Sequence, residues 1–214
     1  MPDLWQGGPV TSLREELGGG RAGVPDFRLM LPPGWTMFDT SEETERSLLA
    51  KARERLASVH RPEVYATLHE YVERALQGAR SQGAFMMIMA GEDAPPWSTV
   101  PISILGTVAE STPAVSLDRM VADAVENRGA RALDGSRHFI RWVDRRRIEL
   151  SGDELGAYTI VYLTPLPGSR RRSALQFTAT LAHPVDTDPD TDPLMSAWVA
   201  LLDAQIATFA WTAA

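Results

Sequence analysis

The chain has no cysteine. Disulfides, thiolate nucleophiles, lipid-bearing cysteines and cysteine-ligated zinc are therefore all excluded. Lysine is almost as scarce, since Lys51 alone among 21 basic residues is not an arginine. Basic charge is in deficit, with 28 acidic residues against those 21 and a formal net charge of -7. Nucleic acid needs a net basic face to neutralise its phosphates, so none is expected as a partner. Long apolar runs are missing too: the longest, residues 84–90, falls far short of the ~20 residues that a membrane helix requires. No membrane partner is expected either. The first residues hold no basic stretch followed by an apolar one, so no secretory signal is expected and the chain reads as cytoplasmic.

What is present suffices for a core. With 214 residues, 44% of them hydrophobic and 23% charged, the chain has the size and balance of one globular domain. Gly7, Gly8 and Pro9 and then Gly18, Gly19 and Gly20 break its start, and such clusters cost too much chain entropy to order unaided. Residues 1–24 are expected to be a flexible arm and residues 25–214 a single domain. The arginine and alanine usage resembles that of a GC-rich bacterial source.

Apolar periodicity then sets the expected elements. Residues 27–31 alternate as a strand and stop at Pro32, Pro33 and Gly34. Thr40 or Ser41 starts a helix with Glu42, Glu43 and Glu45 in or near its first turn, where the helix dipole favours acids. A second helix starts at Pro62. Strands are expected at 85–89, from Val100 onward, and at 138–143, 158–163 and 174–182. Between them Ser116 caps a helix that closes at Gly129. The chain ends with Leu194, Trp198, Leu201, Leu202, Ile206 and Phe209 at three- and four-residue steps, followed by Trp211, which reads as one apolar helical stripe. Short links between strands imply antiparallel pairing. The expected fold is α+β, with an antiparallel sheet of about six strands packed between helical layers.

No motif names a reaction. The carboxylates of Asp186, Asp188, Asp190 and Asp192 alternate like the start of a calcium loop, but Thr191 replaces the obligatory glycine and Ala197 the closing glutamate. Asp192 as helix cap with Pro193 in the first turn explains the segment better. His69 and Glu73 stand four apart without the second histidine that a metal site would want. His60, His138 and His183 are isolated in sequence. Gly135-Ser136-Arg137 lacks the second glycine of a nucleophile elbow, and the triple glycine lacks the lysine of a phosphate loop. No catalytic residue, cofactor or metal is expected.

Two arginine triplets remain, Arg145, Arg146 and Arg147, and Arg170, Arg171 and Arg172. At one end of a sheet they would form a basic rim for an acidic partner; alternatively they are charged strand ends that discourage edge aggregation. Trp97, in a proline-flanked loop, is either an anchor for a partner or a plug over the core.

Leu31-Pro32-Pro33-Gly34-Trp35, with Asp203 and then Thr208-Phe209-Ala210-Trp211 at the end, resemble two signatures of the PsbP-like α/β/α sandwich superfamily, in its LpqN-type actinobacterial branch. The resemblance implies a sheet between helical layers and a role in binding proteins, with no catalytic residues to carry over. The missing signal and cysteine depart from the lipoproteins of that branch. The expected function is thus a non-catalytic bacterial interaction or adaptor module with a protein partner, its oligomeric state left open. The alternative is an enzyme or small-molecule-binding protein with a site assembled from scattered His, Asp and Arg residues.

Overall fold

The computed structural model describes residues 23–58, 62–91, 93–95, 102–134, 138–150 and 153–212. The arm expected at 1–24 falls, up to residue 22, outside them, as do His60 and Trp97. In chain order the elements are β1 (Phe27–Arg28), β2 (Trp35–Asp39), α1 (Glu42–Ser58), α2 (Pro62–Ser81), β3 (Met86–Ala90), β4 (Ile102–Glu110), α3 (Leu117–Arg128), β5 (Arg131–Ala132), β6 (Ile140–Leu150), β7 (Asp153–Pro165), β8 (Ser173–Pro184), α4 (Pro193–Ala207) and β9 (Ala210–Trp211). Seven strands form one antiparallel sheet in the order β2-β3-β4-β8-β7-β6-β5. The fold is α+β, as the periodicity implied, with one more strand in the sheet than expected.

Strand alternation sorts the core onto two faces. Ile88, Ile104, Phe177, Ile160 and Tyr162 point to one face and are buried beneath Trp198, Leu202 and Ile206 of α4. Val161, Leu163, Trp142 and Ala174 point to the other and are covered by Leu117 and Ala124 of α3. Helices therefore pack on both faces of the sheet. Fully burying one such aliphatic or aromatic side chain stabilises the fold by about 1.5–3 kcal/mol, so two filled faces account for why this sheet is stable.

The helix ends follow local chemistry. Ser116 accepts from the Arg119 N–H at 3.2 Å, and Gly129 closes α3 with φ of 65°, a left-handed conformation that glycine adopts without penalty. Asp192 accepts from the Met195 N–H at 2.8 Å and Pro193 opens α4. Ser41, not Thr40, caps α1 by accepting from the Thr44 N–H at 3.1 Å. Thr40 is buried and donates instead to the Ala84 carbonyl at 2.7 Å. Burial by itself would push Asp39 up, but hydrogen bonds from the Ser41 hydroxyl and N–H and from the Thr44 hydroxyl outweigh it and hold that carboxyl below its ordinary value. Arg80 of α2 ties the helical hairpin together through Glu45 at 2.6 Å.

Three expectations need correction. The strand at 27–31 is only Phe27–Arg28 and pairs with β9 outside the main sheet. The strand that joins the sheet is β2, which begins immediately after the Pro32-Pro33-Gly34 turn. The terminal stripe is also not one helix: α4 ends at Ala207, Leu194 is 66% exposed, and Phe209 and Trp211 reach the core from the turn and short strand beyond. A chain reversing after Ala207 keeps the spacing of apolar residues while abandoning the helix.

Gln205 of α4 is 5% exposed, and neither end of its side-chain amide has a hydrogen-bond partner. An orphaned buried polar group costs about 1–3 kcal/mol. Gln205→Met, which keeps the length and removes the amide, is expected to raise the urea unfolding free energy by about that amount. Unchanged or lower stability would show that the amide is satisfied in solution.

Candidate functional site

The two arginine triplets lie at opposite ends of the sheet. Arg147 stands across from Gly156, and Gly156 from His183, near the β6–β7 hairpin. The second triplet belongs to the turn between Pro165 and Ser173 at the far end of β7. The separation along β7 is about 30 Å at ~3.3 Å per residue. One continuous basic rim is therefore not formed.

The first triplet is inside β6 and not at its end, so strand alternation divides it. Arg145 and Arg147 share the face of Tyr158 and His183, and Arg146 points to the opposite face. The Arg145 guanidinium lies 5.4 Å from the centre of the Tyr158 ring. One of its nitrogens donates to both carboxylate oxygens of Asp190 at 2.5 Å. Arg147 reaches Glu154 at 3.4 Å. Gly156 is required here because the His183 imidazole occupies the space of a side chain: a Cβ at Gly156 would fall 2.2 Å from the His183 ring. The three arginines, Gly156 and His183 line a shallow groove of about 460 Å³ together with Val185, Thr187 and Pro189.

The second triplet sits in a turn with unusual backbone. Arg170 and Arg171 have φ of 52° and 60°, in the left-handed region that non-glycine residues rarely adopt. The Arg171 guanidinium stands 3.4 Å from Asp118 in the first turn of α3. Beside this pair opens a cleft of about 490 Å³, floored by Leu117, Phe139, Leu163 and Trp211 and reached by His138. One histidine, one aspartate and one arginine, His138, Asp118 and Arg171, thus line the same cleft. Arg172 stays in the turn, its N–H donating to the Ser169 carbonyl.

The most perturbed groups lie elsewhere. Arg141 of β6 is 8% exposed and donates through Nε to Asp203 Oδ1 at 2.8 Å; the Tyr162 hydroxyl donates to the same oxygen at 2.6 Å. Burial pushes the Tyr162 hydroxyl up, and the Asp203 carboxylate beside it pushes it further, well beyond the ordinary tyrosine range. For Arg141 burial acts downward, but the Asp203 charge and hydrogen bond prevail, so it too is raised. Sequence reasoning missed this trio. Its one local signal was Asp203 itself, the single charged residue in α4.

The remaining candidates have plain roles. Asp188 accepts from the Asp190 N–H at 3.1 Å, Asp190 pairs with Arg145, and Asp192 caps α4, so the acidic segment is spent on its own turn and its neighbours. His69 and Glu73 form an exposed pair at 3.8 Å. Among the described residues no three His, Asp or Glu side chains gather as a metal ion would require, and no helix is long and apolar enough to cross a membrane.

No family model matches the chain, and no curated protein matches it. Among solved structures it is similar to LpqN, a protein involved in cell envelope biogenesis of Mycobacterium tuberculosis, at 15% identity over 92% of this chain and 97% of that one, with a TM-score of 0.42. A likeness that distant carries no argument about function.

Proposed function

We propose that this protein is a non-catalytic interaction module that binds a protein partner through the Arg145, Arg146 and Arg147 stretch of β6. The observation that carries the reading is where the perturbed groups are. Catalytic sites concentrate shifted titratable groups in a cleft, whereas Arg141 and Tyr162 hold α4 to the sheet and Asp39 is bonded to the start of α1. Arg145, Arg146 and Arg147 are left on the surface, with Arg147 69% exposed. A bacterial source, a cytoplasmic location and membership of the LpqN-type branch of the PsbP-like superfamily are parts of this proposal, supported by composition and by the motifs around Trp35 and Phe209.

The double variant Arg146→Glu/Arg147→Glu is the test. Both side chains are exposed, so folding stability is expected to stay within about 1 kcal/mol of the parent. A partner identified by crosslinking in the source cells and then purified should bind the variant at least about tenfold more weakly, with a steep salt dependence for the parent. Unchanged affinity would reject this surface. A second reading, a small-molecule site, is favoured by one observation, the meeting of His138, Asp118 and Arg171 at the 490 Å³ cleft. A small molecule that binds there and is lost on Arg171→Ala would support it.

A further inference from the structure

We propose that the outer edge of β6 is a strand-addition site for an extended acidic segment of a partner protein. This deepens the reading that the first arginine triplet is the partner surface, and rests on it. Among the described residues, β5 pairs with β6 only at Ile140 and Arg141. Beyond Arg141 the other side of β6 is fully paired to β7, down to Leu150 opposite Asp153. From Trp142 onward no described strand pairs with the outer side of β6, which is an open edge among the described residues.

The direction of the backbone on that edge follows from one hydrogen bond. The Leu133 N–H donates to the Phe139 carbonyl at 3.0 Å, so the main-chain groups of residue 139 face the β5 side. Main-chain groups alternate along an antiparallel strand. Val143, Arg145, Arg147 and Glu149 therefore turn their N–H and C=O outward, while Asp144, Arg146 and Ile148 bond to β7. A row of unpaired backbone groups of this kind is what an incoming strand uses.

Charge selects the occupant. A second copy paired about a two-fold axis centred on Arg146 would set Arg145 against Arg147. Like charges directly opposite are destabilising, so the triplet disfavours self-pairing in that register. An incoming strand with three consecutive acidic residues places two carboxylates on the face of Arg145 and Arg147 and one on the face of Arg146. Arg146 makes no ion pair with a described residue, and the exposed Arg147–Glu154 contact at 3.4 Å is weak enough to exchange. Val143, one residue beyond Asp144 from the triplet, and Ile148, next to Arg147, are both half-buried and fit apolar neighbours on either side of the acids.

The probe is an acetylated, amidated peptide of nine residues, Thr-Val-Thr-Glu-Asp-Glu-Val-Thr-Val, added to the full chain. Saturable binding is expected in isothermal titration calorimetry, and in amide hydrogen exchange by NMR the amides of Val143, Arg145 and Arg147 should slow while those of Asp144 and Arg146, already bonded to β7, change little. N-methylation of alternate peptide amides on the edge-facing side should weaken binding by roughly tenfold or more, since two or more hydrogen bonds are lost. Replacing the three acids by lysine should abolish it. Binding without odd-numbered protection, equal binding of the N-methylated peptide, or no binding would each overturn strand addition, as would protection of the same amides by self-association at high protein concentration. If the natural partner still loses affinity for Arg146→Glu/Arg147→Glu in any of those cases, the partner surface stands and strand addition alone falls.

Discussion

Phe209→Ala is expected to cost about 3–5 kcal/mol of stability, the range found when a large buried aromatic is truncated and the cavity only partly closes. Phe209 is 5% exposed. Its ring centre lies 5.1 Å from that of Phe27, 5.2 Å from Phe139, 5.8 Å from Phe177 and 4.8 Å from Trp211. One side chain thus joins the sheet, the segment before β2 and the end of the chain. A loss of that size is a large share of the 5–15 kcal/mol typical of a domain. Urea unfolding of the dilute protein measures it, and the effect should be independent of concentration. A variant that kept its stability but lost self-association would make the terminal aromatics an interface instead.

Asp203→Ala is expected to be as damaging, by about 3–5 kcal/mol, because it leaves the Arg141 guanidinium buried without its counter-charge and the Tyr162 hydroxyl without its acceptor. The same trio is expected to contribute to the loss of stability at alkaline pH. Tyr162 holds its proton more tightly in the folded chain than in the unfolded one. A folded-state value raised above the unfolded one stabilises fully below the unfolded pKa, about 10 for tyrosine. Above that pH the unfolded chain loses the proton first, and stability falls by on the order of 1 kcal/mol per pH unit from this group until the folded form also ionises. Tyr162→Phe should have lower stability at pH 8 and a flatter decline between pH 10 and 11. A parent and variant that decline in parallel would show that Tyr162 is not the group responsible.

The caps of α3 and α4 were readable because everything they need is within four residues. Ser116 and Gly129, and Asp192 and Pro193, satisfy or replace the free N–H and C=O groups of their own helices. The alternation of Leu175, Phe177, Ala179 and Leu181 likewise fixed which face of β8 is buried, since the pleat alone determines it. Even the failed calcium pattern was legible as a cap for the same local reason.

Pairing, by contrast, is decided by residues far apart. Trp35–Asp39 becomes a strand because Met86–Ala90 lies alongside it, and Ala210–Trp211 because Phe27–Arg28 does. Neither segment is long or regular enough to announce itself. The sites follow the same division. Three arginines adjacent in sequence are parted onto two faces by the strand that contains them, and the two triplets, which would form a rim only at one end of the sheet, are held at opposite ends by the register of β7. Arg141, Tyr162 and Asp203 lie up to 62 residues apart and meet only because α4 crosses the sheet there. The sequence by itself determined the fold class, the starts of α3 and α4, the close of α3 and the buried faces, all consequences of local periodicity and capping. The tertiary structure alone decided strand order, the open edge of β6 and every meeting of charged groups across elements, because such contacts depend on chain closure over long distances, which no short-range pattern encodes.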